Sequence, residues 1–406
     1  MKFENKRWIY LIAAMVIAVC AGIGYSWSVF QKPLIKMFGW STGRTSLTFT
    51  IQVFVSTMSP MFIGKLQEKI TTKYYIMIGA VLYGGGLILT GFVNSLIYLY
   101  IIFGVIVGLG IGMLYPCLMA YGVKLFPDKR GLVSGLLAGS YGAGSVIWAP
   151  TAARIMQNHS VLTVYKIFGV LFFIAIIILA VFLGEVPKNF RPEIKKTNAV
   201  STVEDKTWKE MIKTKEFYLI VALLTMGTTS GLMIMGHASS ILQEMQGFSP
   251  EKAAVLIGII SVFNACGRLA WGTLSDKAGR YKTMIIMFML VGLSMIILST
   301  AGGSLFIAAL FVVGACYGGF AAMIAPVAAD NFGIKNLSVN YGFLYIAYGF
   351  AGILGPQLAA TAKDMGEGYG IAFITVAVFS AIGILLCLYL LMSKQKKKSS
   401  IIKTVQ

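Results

Sequence analysis

The sequence predicts an all-α membrane protein of twelve transmembrane helices, arranged as two parallel six-helix halves. Three observations carry that expectation. Hydrophobic residues make up 57% of the chain and charged residues only 12%, against roughly 25% charged in an average soluble protein. Apolar runs of about 20 residues, the length that crosses a bilayer, recur from end to end. Short loop motifs also return at about half the chain length, as parallel membrane repeats do.

The elements follow in order. Trp8 to Phe30 forms the first apolar run, preceded by Lys2, Lys6 and Arg7. A signal peptide has the same basic start, but this run is too long and no small-x-small cleavage site follows, so it is expected to be retained. Further runs lie near 45–64, 74–93, 96–122, 131–153 and 164–186. A second set lies near 217–243, 253–275, 283–301, 303–329, 338–362 and 369–392. Between the sets, 187–215 is polar and charged and reads as a loop or short amphipathic segment. The expected organisation is an N-terminal six-helix half over 1–186, a cytoplasmic linker over 187–215, and a C-terminal half over 216–406 with a short basic tail.

Charge gives the orientation. The net charge of +19 could suggest nucleic acid as a partner. However, Lys and Arg concentrate at 2–7, 65–73, 124–130, 188–215, 277–282, 335 and 394–403, segments that these spans put on one side of the membrane. That is the positive-inside pattern, and it places both termini in the cytoplasm of a plasma (inner) membrane. No basic face with interleaved aromatics exists, so no nucleic-acid partner is expected. Cys20, Cys117, Cys266, Cys316 and Cys387 all fall in apolar spans without metal-ligand spacing and read as small packing residues. No metal or cofactor is expected. Hydrolase, Walker and zinc-protease motifs are absent, so an enzyme is not expected either.

The repeat is visible in the loops. Gly64-Lys-Leu-Gln-Glu68-Lys69 follows the second span, and Gly272-Thr-Leu-Ser-Asp276-Lys277 follows the eighth. Phe126-x-x-Lys129 precedes the fifth span and Phe332-x-x-Lys335 the eleventh, and each of these spans ends near a proline, Pro150 and Pro356. The stretch from Gly272 through Asp276, Gly279 and Arg280 to Lys282 resembles the cytoplasmic loop signature of the major facilitator superfamily. The first copy departs from it, with Glu68 as the acid and Thr71 and Thr72 where glycine and arginine are expected.

Within that superfamily, four passages resemble the oxalate/formate antiporter family, a relative of the monocarboxylate transporters. They are Tyr25-Ser-Trp27-Ser-Val-Phe30-x-x-Pro33-Leu34, Trp40-Ser41, Phe126-Pro127-Asp128-Lys129-Arg130-Gly131, and Ala329-Asp330-x-Phe332-Gly333 followed by Asn340-Tyr341-Gly342. The resemblance implies a carrier that opens alternately to each side. Asp276 paired with Arg280 would then latch the cytoplasmic face, with Glu68 and Asp330 as further gate acids.

Arg268 is the residue that points to a substrate. A charge in the membrane interior costs about 2.5–3.5 kcal/mol on insertion scales, so it should face a cavity or a partner. Ser261, Asn264, Arg268, Trp271 and Ser275 recur at helical steps and share one face of the eighth span. A guanidinium on such a stripe matches a carboxylate with two parallel hydrogen bonds. The acids Glu68, Asp276, Asp330 and Glu185 all fall near span ends, which favours an anionic substrate. The family's oxalate exchanger is expected to set a lysine of the eleventh span beside the arginine, one cation per carboxylate. Aligned on Asn340-Tyr341-Gly342, that position is Tyr348 here, so a monocarboxylate fits better.

Tyr25, Gln52, Tyr115, Tyr317 and Tyr348 are the remaining candidates for lining the site, with Tyr141 and Tyr345 as further wall aromatics. Tyr341, Tyr345 and Tyr348 share a helical face. His237, in the outer half of the seventh span, is the candidate for carrying a proton, since an unperturbed imidazole titrates near about pH 6.5. Gly104, Gly108 and Gly112 read as a packing stripe. The expected function is a secondary transporter of lactate, pyruvate or formate, coupled to a proton. The alternative is an oxalate/formate-type exchanger without a proton; a membrane sensor for an anion is a third reading.

Overall fold

The computed structural model describes residues 3–64, 66–186, 204–365 and 368–405. Every regular element among the described residues is a helix. The long ones are α1 Phe3–Ala21, α2 Trp27–Phe38, α3 Thr42–Ile63, α4 Thr72–Thr90, α5 Leu96–Leu125, α6 Arg130–Met156 and α7 Val161–Phe182. After the linker come α8 Lys215–Gln246, α9 Pro250–Ala278, α10 Arg280–Thr300, α11 Gly303–Phe332, α12 Leu337–Asp364 and α13 Gly370–Val405. Eleven helices are long and apolar enough to cross a bilayer, and α3 adds a twelfth through its apolar stretch Leu47–Ile63. All twelve predicted spans are therefore helical. Most of the linker loop, 187–203, lies outside the described residues.

Two spans differ from a plain rod. The first breaks: α1 stops at Ala21, Gly22–Ser26 form a 3-10 turn, and α2 continues past the expected end to Phe38. The break sits where α1 crosses α6 at backbone contact. A Cβ on Gly22 would strike the Tyr141 carbonyl oxygen, and one on Gly144 the Val19 carbonyl oxygen. Only glycines allow that approach. The fourth span, α5, winds as a π-helix over Tyr100–Val107. Its glycines pack as the sequence indicates: Gly104 meets Ile51, Gly108 meets Gln52 and Val55, and Gly112 meets Ser56 and Ser59, all on α3.

The junction between α8 and α9 follows ordinary capping chemistry. Gly247 ends α8 with φ +65°. Two residues later Ser249 accepts from Lys252 N, with Pro250 at the first helical position of α9.

By packing, the chain forms two compact units. One comprises Met1–Trp208 with Ala328–Tyr345, the other Lys209–Val327 with Ile346–Gln406. The end of α11 and the start of α12 thus pack with the first unit. In the first unit α4 lies along α7, and in the second α10 lies along α13. These are the third and sixth spans and the ninth and twelfth, the same pair in each half. The α1–α7 contact likewise recurs as α8–α13.

Candidate functional site

The second unit gathers four of the predicted residues on three helices. Arg268 is 4% exposed although it is a charged residue on a membrane-spanning helix. Its Nε donates to Asn264 Oδ1 at 3.1 Å, one turn earlier on α9. Asn264 Nδ2 donates in turn to the Gly314 carbonyl of α11 at 3.3 Å. Glycines let α11 come this close. A Cβ on Gly318 would strike the Asn264 carbonyl oxygen and stand 3.1 Å from Arg268 Cγ. Asn264 therefore fixes the guanidinium from one edge, through a neutral group that leaves its charge intact.

Tyr317, beside Gly318, stacks on Tyr348 of α12 with ring centroids 6.4 Å apart. Their hydroxyls are 2.5 Å apart and both rings are buried. The Tyr317 ring lies against Gly231 of α8, where any Cβ would collide with it. Sequence spacing alone did not reveal this phenol pair, because it depends on the α11–α12 crossing.

The first unit gathers a second set. Gln52 is buried on α3 beside the first-span break, its Oε1 3.6 Å from the Cβ position of Gly24. Tyr115 on α5 packs on Tyr141 of α6, centroids 4.6 Å apart, and on Tyr345 of α12 at 6.0 Å. Tyr341 stacks on Tyr345 at 5.5 Å. Tyr341, Tyr345 and Tyr348 lie on one continuous helix at the expected spacing, and their partners differ: the first two pack within the first unit and Tyr348 within the second. The side chains of Tyr25 and Glu68 lie outside the described ones.

His237 is half-buried on α8, with its ring 6.1 Å from that of Tyr369. Near it Lys363 Nζ pairs with Glu244 Oε1 at 2.5 Å. Arg280 Nη1 pairs with Asp276 Oδ1 at 2.6 Å and donates to Ser275 Oγ at 2.5 Å. Gly279, at φ +92°, makes the reversal between α9 and α10 that brings them together. Asp330 pairs with Arg130 Nη1 at 2.5 Å. Arg130 was visible in the Phe126–Gly131 passage, but its partner 200 residues away was not. Four of the cysteines are buried as expected; Cys266 is a correction, being exposed on α9. It lines an open groove of about 550 Å³ with Leu269, Ala270, Thr273, Leu274 and Lys277, none of them from the Arg268 stripe.

The model of the Major Facilitator Superfamily matches residues 12–356 and 238–405. The chain is 28% identical to the MFS-type transporter YhjX of Escherichia coli (strain K12), over 86% of this chain and 87% of that protein. It is 28% identical to the oxalate:formate antiporter of Oxalobacter formigenes, over 95% and 92%. Identity to monocarboxylate transporter 13 of Rattus norvegicus is 23%, over 93% and 87%. Among solved structures, FucP in its outward conformation superposes with a TM-score of 0.73 at 14% identity, covering 94% of this chain and 98% of that one. The residue motifs, the twelve spans and these likenesses agree, and the chain belongs to the Major Facilitator Superfamily, a multi-pass membrane transporter of that family.

Proposed function

We propose that this protein carries small monocarboxylates of the lactate, pyruvate or formate class across a plasma membrane, with a proton, by alternating access. The observation that carries this reading is Arg268, a buried guanidinium on a spanning helix, oriented by a neutral amide. Such a group binds a carboxylate by charge-assisted, parallel hydrogen bonds. Asn264, Tyr317 and Tyr348 would complete the anion's surroundings within the second unit. Tyr348 offers a hydrogen bond but no charge, which supports one carboxylate rather than two. The likeness to monocarboxylate transporters and to an oxalate:formate antiporter supports a small organic anion.

In this reading the working parts are the halves 1–186 and 216–406, joined by 187–215, with both termini cytoplasmic. Asp276 with Arg280, Glu68, and Asp330 with Arg130 act as cytoplasmic gate groups. His237 takes the travelling proton. The chain acts as a carrier without a cofactor, not as an enzyme. A second reading, exchange of oxalate and formate without a proton, is favoured by the near full-length match to the oxalate:formate antiporter. Uptake of labelled lactate into proteoliposomes separates the two readings. The proposed carrier accumulates lactate when the outside is acidified, whereas the exchanger needs an internal anion and ignores the gradient.

A further inference from the structure

The first described residues of the linker, 204–208, do not simply lead into α8. They lie along the turn that joins α11 to α12, all within the first packing unit. Lys206 N donates to Phe332 O at 3.0 Å. Lys206 O accepts from Asn336 Nδ2 at 3.0 Å and from Asn340 Nδ2 at 2.9 Å. Asp205 Oδ1 accepts from Lys335 N at 3.0 Å. The Trp208 ring then stacks on Phe343, with centroids 5.2 Å apart and planes 12° from parallel.

The crossing point is shaped for this strand of chain. Gly333 has φ +82°, and a Cβ there would strike Asp205 Oδ1 and stand 2.8 Å from Asp205 Cα. Glycine is thus required twice over, for its conformation and for the space. Asn340 is fully buried, so its amide is aimed at the Lys206 carbonyl at the expense of solvation.

A linker that only tethers two halves needs no such docking, because ordering each residue costs conformational entropy. The docked partner is also unusual. Residues 328–345 belong to the first unit by packing, but they continue helices whose other ends belong to the second. Arg130 grips the same turn through Asp330.

We propose that Asp205–Trp208 is a releasable latch: docked, it fastens the α11–α12 turn, and its release accompanies the carrier's conformational exchange. This rests on the alternating-access reading above. Undocking frees the Lys206 and Lys335 amides and exposes Trp208, while the Arg130–Asp330 pair and the packing of Gly342 on Pro60 stay in place.

The test uses the full chain in lipid. Cys266→Ser removes the exposed thiol, and Asp205→Cys with Lys335→Cys then accepts a short bis(methanethiosulfonate), each thiolate displacing a sulfinate to form a reducible disulfide. Closing that bridge should cut labelled-lactate uptake by at least about tenfold, and reduction should restore it. Equal uptake in the bridged and reduced forms would overturn the latch. Amide hydrogen exchange supplies an arm that needs no solute. The 204–208 amides should exchange at least about tenfold faster than those in the middle of α12, and bridging should slow them. Trp208→Ala with Asn340→Ala should speed them further, by about two- to tenfold, without changing the α12 interior. Strap amides as slow as the helix interior would mean permanent docking, and the proposal would fall. If the unmodified protein takes up no lactate, the carrier reading falls, and the exchange arm still decides the latch.

Discussion

Arg268→Lys tests the anchor most sharply, because it keeps the charge and removes the geometry. The guanidinium reaches Asn264 through Nε, an atom lysine lacks, so the neutral brace is lost along with the planar fork. A hydrogen bond to a charged group contributes about 1.5–3 kcal/mol. An ammonium can replace one of two parallel bonds to a carboxylate but not both. The deficit is therefore about one charged hydrogen bond, which corresponds to roughly a ten- to hundredfold loss in affinity. Arg268→Met should cost more, because it removes the partner of a buried anion, a change of about 3–5 kcal/mol. The assay is lactate binding and initial uptake in proteoliposomes, with thermal unfolding in detergent as the folding control. An Arg268→Lys protein that folds normally and transports within about twofold of the parent would refute the anchor.

Three further outcomes follow from the geometry. Gly318→Ala forces a methyl against the Asn264 carbonyl and Arg268 Cγ, so it should destabilise the α9–α11 contact by about 1–3 kcal/mol; a lowered unfolding temperature together with weakened lactate binding checks it. Asp276→Asn removes the charge that Arg280 meets at 2.6 Å, and should shift the population toward inward-open, slowing turnover more than it weakens binding. Unchanged cysteine accessibility on both faces would count against that. His237→Gln should abolish the acceleration of uptake by external acid while sparing lactate-for-lactate exchange; acceleration that survives would remove His237 from the proton path.

Much of the fold was legible in the sequence because a bilayer imposes a length and a polarity on every crossing helix. Even α3, whose start carries Arg44 and several threonines, was recognisable from its apolar stretch. The break in the first span was not, because it depends on Gly22 meeting Gly144, a contact between helices far apart in the chain. The same limit applies to the site. Arg268 and Asn264 lie one turn apart, so periodicity alone placed them together. Tyr317 and Tyr348 lie 31 residues apart and meet only through packing. Arg130 and Asp330 sit in quoted motifs of separate halves, and nothing in either motif announces the other. The strap from Asp205 to Trp208 looked like ordinary polar linker, because three of its hydrogen bonds use the Lys206 backbone, which composition does not reveal.

The most direct measurement of the central claim is a competition of anions for uptake. A site with one buried guanidinium, and with the neutral phenol of Tyr348 where the family's exchanger is expected to place a lysine, should accept one carboxylate, and a second would enter without a cation at a cost of several kcal/mol. Labelled-lactate uptake should therefore be inhibited by pyruvate at concentrations at which oxalate and malonate have little effect. Tyr348→Lys, if it folds, should narrow or reverse that ranking. An unmodified protein that prefers oxalate to every monocarboxylate tested would contradict the one-cation site and leave the exchanger reading in its place.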